Sequence, residues 1–137
     1  MKLVFVDSFY WIAIVKPNDP WREPAKKAKE ALGDVLLVTT DEVLTEFLTA
    51  LSDGGPGLRE RAVAMVRSIL DNNNVRVLAQ SRDSFRKGLE RFARREDKTY
   101  SMTDCVSMNA MEGMSIRDVL TNDHHFEQDG FTVLIKK

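Results

Sequence analysis

Residues 3–8 read Leu3-Val4-Phe5-Val6-Asp7-Ser8, and residues 35–42 read Val35-Leu36-Leu37-Val38-Thr39-Thr40-Asp41-Glu42. Each segment is a run of four apolar residues closed by hydroxyl and carboxyl side chains. A short, continuous apolar run of this kind marks a strand buried on both faces, the usual state of a strand in a parallel sheet. Ser, Thr and Asp straight after a strand favour the start of a helix, because their oxygens accept its free backbone N–H groups. The reading is therefore strand followed at once by helix, twice over.

The same grammar continues along the chain. Ser8 is expected to cap a short helix over Phe9–Val15, which Pro17 stops, and Pro24 suits the first turn of a second helix ending near Gly33. Thr39 with Glu42 three residues on offers a capping box. The helix it opens carries Val43, Leu44, Phe47, Leu48 and Leu51 at helical spacing, and the Ser52-to-Gly57 loop ends it. A helix over Leu58–Leu70 and a strand over Val75–Leu78 follow. Phe85, Leu89, Phe92 and Ala93 mark another helix. Ser101-Met102-Thr103-Asp104 is a further capping box, opening a helix to about Glu112. Val119-Leu120-Thr121 and Phe131–Ile135 are the last two strands, joined by a short turn. Strands alternating with helices predict an α/β fold with a central parallel sheet of about five strands and helices on both faces. The 137 residues are read as a single domain, 1–137.

Composition narrows the function classes. Hydrophobic residues at 43% and charged residues at 30% are those of an ordinary globular chain rather than a disordered one. Twenty Lys and Arg against 21 Asp and Glu give a formal net charge of −1, which argues against a strongly basic nucleic-acid binder. The lone Cys105 forms no intramolecular disulfide and fits a reducing, cytoplasmic setting. No run approaches the ~20 apolar residues that span a bilayer, so no membrane role is expected.

Four acids stand where the pattern gives them meaning. Asp7 directly follows the first strand, and Asp123 lies just after the fourth. Asp104 lies in the first turn of the helix that Ser101 caps, and Glu46 lies in the helix after the second strand. Ligands of open parallel sheets bind beyond the carboxyl ends of the strands, so these residues are expected to converge there. Each alone has a plainer role: Asp7 and Asp104 as caps, Asp123 as a turn former, Glu46 as a solvated acid. Crowded carboxylates raise one another's pKa unless a cation intervenes. Hard divalent cations take oxygen ligands of this type.

The ordered segments Val4-Phe5-Val6-Asp7-Ser8, Thr40-to-Glu46, Ser101-to-Cys105 and Val119-to-Phe126, followed by Gly130-Phe131, resemble the PIN-domain ribonucleases, most closely VapC-type toxins of toxin–antitoxin pairs. The resemblance spans nearly the whole chain. It implies an endoribonuclease dependent on Mg²⁺ or Mn²⁺, with Asp7 and Asp104 as direct ligands and Glu46 positioning the metal or its water. Asp123 would complete the site, and Ser8 and Thr103 would hydrogen-bond around it. It also implies an RNA substrate, a cognate antitoxin protein and a homodimer. The chain departs from the family pattern at His125, where many members carry a further acid, which questions a second metal position.

Other readings compete. A housekeeping RNA-processing nuclease would carry the same site. A phosphoryl-accepting receiver would need an Asp at the third strand's end, where Leu78-Ala79-Gln80 stands. A binding module without chemistry would not need all four acids. His124 and His125 are read mainly in a loop or hydrogen-bonding role, with a metal or acid–base task as the lesser reading, Cys105 as core, and Tyr10 and Trp11 as helix packing. Between Arg82 and Lys98, seven cations face four acids, either as a solvated face or as a rim that grips RNA phosphates.

Overall fold

The computed structural model describes residues 1–137. Five strands form one sheet: β1 (Lys2–Val6), β2 (Val35–Thr40), β3 (Val75–Leu78), β4 (Asp118–Leu120) and β5 (Thr132–Val133). Seven helices connect them: α1 (Ser8–Val15), α2 (Arg22–Leu32), α3 (Asp41–Ala50), α4 (Pro56–Asp71), α5 (Arg82–Arg94), α6 (Met102–Gly113) and α7 (His124–Gln128). The strand order is β3-β2-β1-β4-β5, and every pairing is parallel. Val4 pairs with Leu37 on one side of β1, and Val6 pairs with Leu120 on the other. This explains the unbroken apolar run of β1, the central strand: Val4, Phe5 and Val6 have no solvent face.

Successive crossovers run from β1 to β2 to β3 on one side, then return past β1 to β4 and β5. Crossovers between parallel strands are right-handed, so this reversal puts the two sets of helices on opposite faces of the sheet. The reversal also opens a crevice between the carboxyl ends of β1 and β4, where ligands of such sheets bind. Phe5, Phe47, Phe126, Met108 and Met111 are fully buried in the core that carries the sheet. Each stabilises the fold by about 1.5–3 kcal/mol relative to exposure, which holds the crevice on a rigid base.

Several local expectations change. Asp7, not Ser8, takes the N-cap position of α1, and its side chain makes no cap hydrogen bond. Thr40, not Thr39, caps α3 by accepting from the Val43 N–H at 3.0 Å. Thr39 instead stays in β2, fully buried, and its hydroxyl donates to the Val6 carbonyl at 2.9 Å. The fifth strand contracts to Thr132–Val133. The turn after β4 closes into the short helix α7, whose first free N–H groups Asp123 caps. The helix that Phe85, Leu89 and Phe92 mark is α5. Phe85, Leu89 and Phe92 are 49%, 50% and 47% exposed, while Gly88 and Arg91 are the buried members of the helix.

Gly88 makes that orientation sterically allowed. A Cβ there would stand 2.8 Å from Val106 Cγ2, so only glycine lets α5 lie this close to α6. Arg91 then reaches inward to Glu112 with two hydrogen bonds of 2.9 and 3.0 Å, to Asp129 at 2.6 Å and to Asn109 at 3.0 Å. A buried guanidinium is tolerated because its fork geometry matches two carboxylates at once.

Candidate metal centre at the strand ends

The crevice is built by short polar devices at the ends of β1 and β4. Asp7 leaves β1 with its carboxylate 4% exposed in residue terms and accepts from the Thr121 hydroxyl at 2.8 Å. Thr121 in turn accepts the Asp123 N–H at 3.1 Å, so one buried hydroxyl ties the first acid to the last. Asp123 accepts the His125 N–H at 2.9 Å, which starts α7 and aims His125 back toward the crevice. From the opposite direction, the Ser101 capping box closes reciprocally. The Asp104 N–H donates to Ser101 Oγ at 3.0 Å, and the Ser101 N–H donates to Asp104 Oδ2 at 3.1 Å. Capping and site geometry are therefore one arrangement for Asp104, not rival explanations.

Glu46 comes in from α3. The Ser8 hydroxyl donates to its Oε1 at 2.5 Å, and Thr103 lines the same groove. The four expected acids are thus brought together, with Ser8 in contact and Thr103 adjacent. Their electrostatics report the crowding. Burial raises the Asp7 carboxyl from the ordinary 3.8 to about 7; Thr121 opposes this, and Glu46, Asp104 and Asp123 push it further up. Burial also raises Glu46, with Ser8 opposing and the charges of Asp104 and Asp123 adding. Asp104 is raised by burial and by Asp123, against the hydrogen bonds of Ser101 and His125. His125 offsets part of this at Asp104, while Asp7 and Glu46 bear the charges of the neighbouring acids. The donor set of carboxylate oxygens, with helices α1, α6 and α7 all starting beside it, fits a divalent cation.

Three neighbours went unrecognised as site residues in the sequence: Thr121, Thr99 and Tyr100. Thr121 reads there as a strand residue, and nothing local announces that its hydroxyl faces Asp7. His125 takes up the hydrogen-bonding role, close to the acids. Its Nδ1 lies 3.1 Å from Asp104 Oδ2 and 3.4 Å from Asp123 Oδ1. Its Nε2 lies 3.0 Å from Thr99 Oγ1, and the Tyr100 ring packs against it at 5.3 Å. Oxygen or nitrogen atoms of Asp104, Asp123 and His125 lie within 4.8 Å of one another, as required to share an ion. His124 points away and pairs with Glu127 at the surface. Tyr10, Trp11 and Cys105 are core, as expected.

The raised Asp7 carboxyl sets a stability trend. A group whose folded pKa exceeds its unfolded value supports the fold fully below the unfolded value and loses that support as pH rises through the folded one. For Asp7 the window runs from 3.8 to about 7. The metal-free protein is therefore expected to lose stability between about pH 4 and pH 8, by at most about 4 kcal/mol from this residue. Urea unfolding across that range checks it. A profile that stays flat without metal, or one left unchanged by Asp7→Asn, contradicts the placement of a crowded, uncompensated carboxyl at residue 7.

Comparison with known proteins agrees with this architecture. A PIN-domain family model matches residues 4–131. No curated protein sequence gives a significant match. The solved structure of VapC20 from Mycobacterium tuberculosis, described as a Sarcin-Ricin loop cleaving toxin, superposes with a TM-score of 0.83 at 26% identity, covering 94% of this chain and 96% of that one. FitAcB from Neisseria gonorrhoeae superposes with a TM-score of 0.62 at 15% identity over 96% of each chain, a likeness of fold alone.

Proposed function

The chain belongs to the PIN-domain family, and from that premise we propose that it is a divalent-metal-dependent endoribonuclease, acting as the toxin of a toxin–antitoxin pair. The observation that carries this reading is the convergence of Asp7, Glu46, Asp104 and Asp123 on the crevice between β1 and β4. The similarity to VapC20, a toxin, supports the toxin role, and a cognate antitoxin is the partner that this reading entails.

A divalent cation bound there, Mg²⁺ or Mn²⁺, would polarise the scissile phosphodiester and lower the pKa of the attacking water. The protein's part is positioning. Asp7, fixed by Thr121, and Asp104, fixed by its capping box, hold oxygens in a set geometry as direct ligands. Glu46, steadied by Ser8, orients the incoming water. Asp123 completes the acidic wall while capping α7. Because these groups are held before substrate arrives, little reorganisation is needed in the transition state.

The flank offers a partial grip on RNA. Of the seven cations between Arg82 and Lys98, Lys87, Arg91, Arg95 and Lys98 are engaged by carboxylates, leaving Arg82, Arg86 and Arg94 for phosphates. The exposed Phe85, Leu89 and Phe92 lie on the outer face of α5 at helical spacing. Their unpartnered apolar surface supports the expected homodimer.

Incubation of the purified protein with total RNA tests the activity. Internal cleavage is expected with Mg²⁺ or Mn²⁺ and is expected to stop with EDTA. Cleavage that survives EDTA, or none with either ion, overturns the reading.

A further inference from the structure

We propose that His125 is a nitrogen ligand of the divalent cation and biases this centre toward Mn²⁺ over Mg²⁺. The inference rests on the nuclease reading above and concerns which ion that site is built to hold.

The spacing of donors points to a shared ion. His125 Nδ1 stands 3.1 Å from Asp104 Oδ2 and 3.4 Å from Asp123 Oδ1. Neighbouring ligands about 2.1 Å from an octahedral cation stand about 3 Å apart, so these separations suit cis positions on one ion. The three residues come from α6 and the start of α7, which the Ser101 and Asp123 caps fix rigidly.

The outer face of the ring supplies the second argument. Nε2 lies 3.0 Å from the Thr99 hydroxyl, which can accept the Nε2 proton. That tautomer leaves a lone pair on Nδ1, aimed between two carboxylates. There the lone pair is free to ligate a cation placed among the three groups, in place of the Nδ1–H donation to Asp104 that the other tautomer makes. A histidine that ligates metal ordinarily donates its other N–H to a fixed partner, and Thr99 occupies that place. Tyr100 packs on the ring at 5.3 Å, and its own hydroxyl donates to Asp129 at 3.1 Å, which restrains the ring plane.

The chemistry then sets ion preference. Mg²⁺ is bound through oxygen and gives up its waters reluctantly, whereas transition ions accept imidazole nitrogen alongside carboxylate. Replacing an acid with His125 trades hard-ion affinity for a nitrogen bond that Mn²⁺ can use and Mg²⁺ uses poorly. His124, with its side chain 75% exposed and paired to Glu127, takes no part.

Calorimetric titration of Mn²⁺ and Mg²⁺ into wild type, His125→Asp, His125→Ala and His124→Ala tests this, together with pulsed EPR of the Mn²⁺-loaded proteins. Wild type and His124→Ala should show ¹⁴N coupling to Mn²⁺, which both His125 variants lose. The Mn²⁺-to-Mg²⁺ affinity ratio should fall about tenfold or more in His125→Asp. Wild type that binds Mn²⁺ without ¹⁴N coupling, or an unchanged ratio in His125→Asp, overturns the role of His125 while leaving the nuclease reading intact. Wild type that binds neither ion overturns both.

Discussion

Asp7→Asn is expected to lower metal-dependent RNA cleavage by at least about a hundredfold while leaving the protein folded. The cation supplies several kcal/mol of transition-state stabilisation, and each ~1.4 kcal/mol is a factor of ten in rate, so losing one direct ligand removes at least two decades. The fold should survive because the amide keeps an oxygen for the Thr121 hydroxyl, 2.8 Å away in the wild type. The change also removes a buried charge whose pKa the site pushes to about 7. Above that pH the metal-free variant should be more stable than the wild type, with loss of activity and gain of stability arising from one cause. Rate and thermal midpoint measured on the same preparation check both halves. Cleavage at the wild-type rate in the variant eliminates Asp7 as a ligand, and a large drop in midpoint shows that Asp7 serves the fold instead.

The strand ends were legible because the physics that makes them is local. Four apolar residues in a row with no polar face state that both faces are covered, and the first polar residue afterwards lies at the sheet edge. That reasoning places Asp7 directly, whereas Asp123 comes two residues past Thr121, in the turn after the fourth strand. Capping chemistry placed Asp104, since Ser101 and Asp104 stand three apart. It failed by one residue at β2, because Thr39 and Thr40 are both hydroxyls at a strand end. Which of them turns into the helix depends on whether Thr39 can reach the Val6 carbonyl on the neighbouring strand, a contact between residues 33 apart in sequence.

Two further features were hidden for the same reason. The periodicity of Phe85, Leu89 and Phe92 marks α5 without saying which of its faces is covered. Amphipathicity reports two unlike faces and leaves open which one is covered. Here the covered face carries Gly88 and Arg91, and a buried arginine is credible only once its carboxylates are known. Glu112 and Asp129 lie 21 and 38 residues further on, beyond any local pattern. His125 was obscured similarly. Beside His124 it looks interchangeable, and only the Asp123 cap on α7 decides which ring enters the crevice and which enters solvent.

Arg91→Ala is expected to cost about 3 kcal/mol of stability, a thermal midpoint lower by roughly 10 °C, because it empties a buried guanidinium site and leaves the nearly buried Asp129 with fewer partners. The residue joins three elements: α5 itself, α6 through Glu112, and the end of α7 through Asp129. Arg95 and Tyr100 also hold Asp129, so the loss should be partial rather than complete unfolding. Lysine should rescue little, since one ammonium cannot make the paired contact to Glu112 and reach Asp129 at the same time. Burial would raise the Asp129 carboxyl, but hydrogen bonds from Arg91 and Tyr100 and the charges of Arg91 and Arg95 hold it below the ordinary value. A depressed carboxyl contributes stability above its unfolded pKa and loses it as pH falls through the folded one. The penalty of Arg91→Ala should therefore be largest near neutrality and shrink below about pH 4, the ordinary aspartate value. Asp129→Asn placed on top of Arg91→Ala should recover part of the loss at pH 7, because it neutralises the charge that the first change leaves with fewer partners. Chemical denaturation of the two single variants and the double variant closes the cycle. An Arg91→Ala midpoint within a degree or two of wild type, or a double variant weaker than the sum of the singles, contradicts the view that this buried guanidinium binds α5, α6 and α7 into the wall behind His125.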